Sequence, residues 1–581
     1  MTVKIIRNVI DEDESTLPED MHPVLKRVFV ARGITSESEL ALGLDRLLPA
    51  KMLSGADEAA VLLHRVIAAG GKILIVGDFD TDGATSCALA VRALKMMGAE
   101  RVDYLVPNRF GFGYGLSPAI VEEALKRNPD LLVTVDNGIS SIDGVAAAVA
   151  AGVPVLVTDH HLPGDELPAA AVLVNPQLPD DSFPSKNLAG VGVIFYVMLA
   201  LRAHLRSLDW FSQNRLPEPN LAELLDLVAL GTVADVVPLD HNNRIMVHQG
   251  LQRIRAGKGC AGISAIIEVA NRSQSRLTAT DLGFAVAPRL NAAGRLDDMS
   301  LGIECLLAER PQAARAMAKQ LDELNHSRRH IEGEMVDQAM AGLSDILEQQ
   351  ESELPVGLCI YRREWHQGVV GILASRIREH FHRPVIGFAP AQDGLIKGSA
   401  RSVPGLHLRD LLAEIDLKYP GMIVRFGGHA MAAGLTLHED CFERFSQAFD
   451  LETQRHLGAA DLFGVIRSDG ALKPEEFTLE LAELLRRASP WGQGFLEPRF
   501  DGEFSIRTRR IVGKRHLKLE LVPDGTDDSI AAIAFNQTDA FPECDRIHIA
   551  YRLDINQFRG TGTIQLVVEN IQAADDPETL G

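Results

Sequence analysis

Three largely apolar runs, KILIVG (72–77), DLLVTV (130–135) and VPVLVT (153–158), each end directly on acidic or imidazole residues, and helix-forming stretches separate them. RVDYLV (101–106) is a fourth run of the same kind. Such alternation reads as repeated βαβ units, which require a parallel sheet with helices on both faces. Helices are expected near Ala84 to Met97, from Ser117, and near Ile142 to Ala151. Sheets of this type bind ligands beyond the carboxyl ends of their strands. The chemistry is therefore expected in the residues that follow the runs.

After the first run come Asp78, Asp80 and Asp82, after the second Asp136-Asn137-Gly138, and after the third Asp159-His160-His161. In extended chain, residues two apart face the same side, so at least two of the first three carboxylates share one small volume. Without a cation they repel, and burying them unpaired is costly. His160 and His161 point to opposite sides if extended, so that one can ligate while the other meets substrate or a neighbour. Carboxylates mixed with imidazole suit Mn²⁺, or less closely Mg²⁺. Four or more carboxylates suggest two ions, the arrangement that assists displacement at phosphorus. Hydrolysis of a phosphate ester is the leading reaction.

At 581 residues the chain is too long for one core, and roughly three or four domains are expected. Its net charge of −21 argues against a protein that coats duplex DNA, while leaving room for a local basic channel. No apolar run of roughly 18 residues is evident, and MTVKIIRNVIDEDES is not a signal peptide, so no membrane role and a cytoplasmic site are expected. Six scattered cysteines, never as C-x-x-C, read as reduced thiols.

The fold class is α/β. Residues 1–50 read as an extension, a helical hairpin at most; 51–310 as the catalytic parallel-sheet domain; and 311–353 as a long connecting helix whose Arg328, Arg329 and His330 form a solvated face. Residues 354–457 read as a smaller α/β substrate-binding domain, 458–575 as an oligonucleotide-binding β-barrel, and 576–581 as a tail. Anion-binding candidates are Arg109 in the glycine-rich PNRFGFGYGLSP, Arg289 and Asn291 in PRLNAAGRL, and Ser399 with Arg401. Gly428 and His429 allow close backbone approach. In the barrel, Arg507, Arg509, Arg510, Lys514, Arg515 and Lys518 form a basic cluster. Aromatics are sparse there, which gives base stacking little support.

GDFDTDG, VDNG, TDHH with VNP at Val174 to Pro176, and GTVADVVPL at Gly231 to Leu239 resemble, in order and spacing, the motifs of the DHH phosphoesterase superfamily. WHQGVVGILASR, KGSARS and RFGGHAMAAG resemble its DHH-associated domain, and the domain order over nearly the whole chain resembles its bacterial single-strand-specific exonucleases. The resemblance implies Asp80, Asp82, Asp136, His160 and Asp235 as metal ligands, with Asp78, Asp159 and His161 around them, as further ligands or substrate contacts. Asp235 is not legible from pattern alone; a helix-end turn is the plainer reading. The resemblance also implies Arg109 and Arg289 as phosphate contacts, and Ser399 and Arg401 gripping a 5′ phosphate. It implies 5′-to-3′ hydrolysis of single-stranded DNA to 5′-mononucleotides in recombination and mismatch repair, by a monomer partnered by single-stranded-DNA-binding protein and a DNA helicase. A phosphodiesterase for short RNA or signalling nucleotides, and a non-catalytic scaffold, are the alternatives.

Overall fold

A computed structural model describes residues 3–9, 16–107, 115–350, 354–513, 516–538, 544–556 and 562–574, without the side chains of 345–350, 459 and 460. After an opening strand β1 (Val3–Arg7), five parallel strands form the first sheet: β2 (Ile73–Gly77), β3 (Val102–Leu105), β4 (Leu131–Val135), β5 (Val155–Thr158) and β6 (Val172–Val174). Their order is β3-β2-β4-β5-β6. Every residue of β2, β4 and β5 is buried, which is why these runs read as continuously apolar rather than alternating. Ile73, Ile75, Leu131 and Val133 pack with the helices Thr81–Met96 and Gly190–Ser207. Leu74, Val76, Leu132 and Val155 face the helices Pro118–Leu125 and Ile142–Ala150. The chain goes from β2 outward to β3, then returns past β2 to make β4. The reversal of winding thus falls between β2 and β4, the place where such sheets form their ligand crevice.

Helix Gly190–Ser207 is long and apolar enough to cross a membrane, contrary to the expectation that no such run exists. Most of it is buried against the first sheet and the helices Ala56–Ala68 and Thr81–Met96, so it is a core helix.

The connector is one helix, Pro311–Gln350, about 60 Å long at 1.5 Å per residue. Ala314, Ala318, Leu321, Asn325, Arg328, Glu332, Met335, Ala339 and Leu343 form its buried stripe, at spacings of three and four. The middle of the stripe is polar. Arg328, expected on a solvated face, is buried, donating to Asn325 Oδ1 (2.7 Å) and paired with Glu332, which also receives Arg376 Nε from the second domain (3.0 Å). Glu332 thus links the connector to the second domain through Arg376.

The second domain orders its strands β7 (Leu358–Tyr361), β8 (Val385–Pro390), β9 (Leu395–Arg401), β10 (Ile423–Gly428) and β11 (Ala432–His438) as β10-β11-β9-β8-β7, with only β7 and β8 parallel. β12 (Gly464–Ser468) pairs with β1. β13 (Phe500–Val512), β14 (His516–Pro523), β15 (Ile530–Ala534), β16 (Arg546–Asn556) and β17 (Thr563–Ala573) close a barrel in the order β13-β14-β15-β17-β16, the winding of an oligonucleotide-binding fold. The expected tail, 576–581, lies outside the described residues.

The first fifty residues, expected as an extension and a helical hairpin at most, pack against the C-terminal part of the chain. β1 lies parallel to β12, Phe29 packs against Trp491 and Phe495 (ring centroids 6.0 and 6.3 Å), and Arg32 Nη1 meets Asp469 at 2.7 Å. Asp501, almost fully buried, accepts from Arg7 Nη2 (2.7 Å), Ser468 Oγ (2.5 Å) and His548 Nε2 (2.9 Å). Burial opposes its charge, but the bonds from His548, Arg7 and Ser468 outweigh burial and hold its pKa well below the usual carboxylate range. A depressed carboxylate stabilises above its unfolded-state pKa and loses that contribution as pH falls through the folded value. Wild type should therefore lose stability below about pH 4, whereas Asp501→Asn should start roughly 3 kcal/mol lower at pH 7 and show a flatter acid limb in urea titrations.

Candidate metal centre

The ligand-bearing turns follow directly from the strand ends. Asp78 follows β2, and its Oδ1 accepts the Phe79 N–H (2.8 Å). Asp80 caps the helix that begins at Thr81, three residues earlier than expected, by accepting the Gly83 N–H (3.0 Å). Asp82 is buried in that first turn and accepts the N–H groups of Gly190 (2.6 Å) and Val191 (3.0 Å), the positive end of a second helix. Asp136 follows β4 at φ +62°, and His160 follows β5. Asp235 ends helix Leu225–Ala234, and the next residue, Val236, also has φ +62°. A β-branched residue in the left-handed region is strained, and such strain persists where surrounding structure imposes it.

These turns converge. His160 Nε2 lies 3.1 Å from Asp136 Oδ1 and 3.4 Å from Asp235 Oδ2. Three sets of ligand atoms each lie within 4.8 Å of one another: Asp78, Asp80 and Asp136; Asp82, His160 and Asp235; and Asp136, His160 and His161. Asp136 belongs both to the all-carboxylate set and to the histidine side, the position of a bridging carboxylate between two ions. Burial, reinforced by Asp82 and Asp80, pushes the Asp136 pKa far up; burial with Asp235 and Asp80 does the same to Asp82. Asp235 rises to about 7, through burial and Asp80. Burial and His161 lower His160 to about 4, leaving a neutral imidazole, the form that ligates. His160 Nε2 and Asp235 Oδ2 are buried with no hydrogen-bond partner among the described residues. Divalent cations fit this donor set, because they would satisfy those atoms and relieve the repulsion.

Asp159, expected beside the ligands, sits at the turn that carries the two histidines. Its Oδ2 accepts the Ile139 N–H (2.9 Å), and its Oδ1 accepts the N–H groups of His160 (2.7 Å) and His161 (3.1 Å) and faces His161 Nδ1 at 2.7 Å. Asp159 thus braces the His160–His161 turn through both its oxygens. Burial disfavours charge on His161, but the Asp159 hydrogen bond raises its pKa to about 9. Asp159→Asn should lower turnover by about 10- to 100-fold, as for removal of a ligand's orienting partner, with Mn²⁺ affinity measured by calorimetry falling in parallel.

Other expected contacts sort differently. Thr81 donates its N–H and Oγ to Asn291 Oδ1, both at 2.8 Å, so Asn291 braces the metal-site turn rather than offering that oxygen to substrate. Arg289 is buried, with Nε on Asp322 (2.9 Å) and Nη1 on the Ala285 carbonyl. It ties its helix to the connector through Asp322. Arg109, Lys514 and Arg515 lie outside the described residues. His429, beside Gly428 at φ +145°, reaches from the second domain, its ring stacked 6.4 Å from that of His161. Ser399 and Arg401 line a cavity of about 440 Å³ with Arg295, Lys397 and Arg425. Arg401 donates to Ser399 Oγ (3.0 Å) and Ser375 Oγ (3.1 Å), which fixes its fork. Arg509 and Arg510 lie on β13, in the barrel. Sequence reasoning missed the Gly190 and Val191 amides, whose only signal was the glycine pair in AGVGV, and the cations Lys397 and Arg425.

Three family profiles match the chain: "DHH family, N-terminal domain" over residues 72–232, "DHHA1 domain" over 356–454, and "RecJ OB domain" over 468–570. The chain is 54% identical over 572 residues to the single-stranded-DNA-specific exonuclease RecJ of Escherichia coli, covering 98% of this chain and 99% of that one. It is 33% identical to the RecJ of Thermus thermophilus, covering 92% of this chain and 72% of that one. The crystal structure of Thermus thermophilus RecJ in complex with Mn²⁺ superposes with a TM-score of 0.80 at 29% identity, covering 99% of this chain and 80% of that one. Its Mg²⁺ complex gives 0.75 at 28%, covering 99% and 79%.

Proposed function

The chain belongs to the family of RecJ single-stranded-DNA-specific exonucleases, and on that premise we propose that it hydrolyses single-stranded DNA from the 5′ end, releasing 5′-mononucleotides. It is a phosphodiester hydrolase that uses Mn²⁺ or Mg²⁺. The observation that carries the mechanism is the sharing of Asp136 between two overlapping ligand sets at the switch point of the sheet. Asp78, Asp80 and Asp136 would hold one ion, and Asp82, His160 and Asp235 the other, with Asp136 reaching the second through the set it shares with His160 and His161. When bound, the ions activate water, polarise the phosphoryl oxygens and stabilise the leaving 3′ oxygen.

The rest is done by the chain's own residues. Asp159 fixes the direction of His161 and favours its protonated form, which steadies a non-bridging phosphate oxygen. His429 closes the cleft from the opposite wall. Ser399 and Arg401, in the cation-lined cavity, grip the terminal 5′ phosphate and so set the polarity of digestion. A strand threaded between the two domains is read one at a time, because a duplex is too wide for walls that meet at His161 and His429. Single-stranded-DNA-binding protein and a helicase are the proposed partners, and a cytoplasmic monomer in recombination and mismatch repair the proposed setting.

Digestion of matched single- and double-stranded DNA labelled at either end, with Mn²⁺, Mg²⁺ or chelator, tests this reading. Mononucleotide release from the 5′ end of the single strand alone, abolished by chelator, is the expected result. Faster cleavage of an RNA dinucleotide than of a long DNA strand would overturn it.

A further inference from the structure

Away from the metal turns, arginines meet at the seam between the catalytic domain and the C-terminal module. Helix His241–Arg255 ends on Arg255, and helix Leu479–Arg487 ends on Arg486 and Arg487. With Arg276, from the short turn Gln274–Arg276, they line a cavity of about 380 Å³ that also touches Ile555 of β16. An arginine in the last turn of a helix suits the helix dipole, which accounts for each end taken singly. It does not account for two such ends brought to one cavity, where like charges repel. Arg255 shows that repulsion: burial, then Arg487 and Arg486, lower its pKa, with Asp281 opposing them.

Arg276 and Arg486 also line an adjoining cavity of about 520 Å³, whose other arginines are already matched. Arg272 Nε lies 3.4 Å from Asp281, and Arg552 lies 2.6 Å from Glu497 and 3.0 Å from Glu569. Among the described residues, none of Arg255, Arg276, Arg486 and Arg487 forms such a pair. Arg255 Nε donates to the Leu277 carbonyl (2.7 Å) and Arg486 Nη2 to the Arg276 carbonyl (3.5 Å), contacts that orient the groups without neutralising them. Glu483 is the one carboxylate on the smaller cavity's wall among the described residues. The unmatched charge is therefore local, and that selects among anions. A nucleic-acid strand carried onward from this cavity would run past Asp281, Glu497 and Asp554, which line the next one, whereas a compact anion would not. Guanidinium forks grip phosphate oxygens in pairs.

We propose that Arg255, Arg276, Arg486 and Arg487 form a site for a compact phosphate chain, such as inorganic tripolyphosphate or the triphosphate of a nucleotide, clasped between the catalytic domain and the C-terminal module. Two of the arginines come from each side, so the ligand binds the docked pair and stabilises it by mass action. The site is separate from the cavity of Ser399 and Arg401 and does not rest on the nuclease reading.

Calorimetry with sodium tripolyphosphate and the full-length protein, without added divalent cations, tests the site; Arg401→Gln is present in every arm to silence the other cationic cavity. One tripolyphosphate should bind per chain, and adding Arg276→Gln with Arg487→Gln should weaken it at least about 10-fold. ATP binding more tightly than tripolyphosphate would mark a nucleotide as the source, and equal or weaker binding the free chain. Tripolyphosphate should raise the Tm of the parent and leave that of the added pair unmoved, while the unliganded pair melts no lower than its parent, because it has lost a repulsion. Arginines that merely hold the fold would show the reverse, a lower unliganded Tm with tripolyphosphate binding kept. Equal tripolyphosphate affinity with and without the added pair would overturn the site. So would displacement of tripolyphosphate by a 30-nucleotide single strand, which would make the seam a strand contact. In a chain with Arg401 intact, Arg276→Gln with Arg487→Gln should digest single strands within about threefold of wild type, so the site can fail while the nuclease reading stands.

Discussion

Asp136→Ala is expected to lower kcat/KM on single-stranded DNA by roughly a thousandfold or more, and to reduce calorimetric Mn²⁺ stoichiometry from two to one or none. This carboxylate holds a shared position: its Oδ1 is 3.1 Å from His160 Nε2, and the same residue closes the set with Asp78 and Asp80. Removing it opens both sites at once. Bound ions contribute several kcal/mol of transition-state stabilisation, and each 1.36 kcal/mol is about tenfold in rate. Asp136→Asn, which keeps the shape and removes the charge, should be nearly as damaging, because burial next to Asp82 and Asp80 demands a cation only when the group is ionised. If either variant retained two-ion binding and activity within tenfold, Asp136 would not be the bridge.

Gly190→Val should match that loss without touching a ligand. A Cβ at Gly190 would stand 2.5 Å from Asp136 Cβ and 2.8 Å from Asp136 Cα, where no rotation of a flexible side chain gives relief. The Gly190 N–H is also the shorter of the two bonds that hold Asp82. One added side chain therefore displaces both carboxylates, an effect of steric overpacking usually costing about 1–3 kcal/mol in stability. Mn²⁺ affinity should fall at least tenfold and hydrolysis roughly a thousandfold, with helical circular dichroism preserved. Gly192→Ala, whose Cβ would meet Leu188 Cδ2 at 3.3 Å, is the control and should remain within threefold of wild type. A Gly190→Val enzyme with normal Mn²⁺ binding would sink this account.

The parallel sheet was legible because β2, β4 and β5 are buried on both faces and so leave uninterrupted apolar runs, each ending at a ligand-bearing turn. Asp80, Asp82, Asp136 and His160 follow from that local grammar. Asp235 does not: it ends a helix with no strand to announce it, and only motif resemblance marked it. The long helix was legible from its spacing, yet the buried polar middle of its stripe was not, since Arg328 and Glu332 look like solvent-facing residues until a second domain covers them.

Local sequence thus dictated where strands stop and which oxygen and nitrogen ligands follow, because backbone periodicity and turn chemistry act within a few residues. Folding at long range decided which neighbour each candidate meets. Asp159, Asn291 and Arg289 carry the same functional groups as the other candidate ligands and phosphate contacts. Each is committed elsewhere by a partner: for Asp159 the amide of Ile139 twenty residues back, for Asn291 Thr81 across the domain, for Arg289 Asp322 on the connector. A polar group's role depends on which neighbour satisfies it, and that neighbour is set by packing rather than by spacing along the chain.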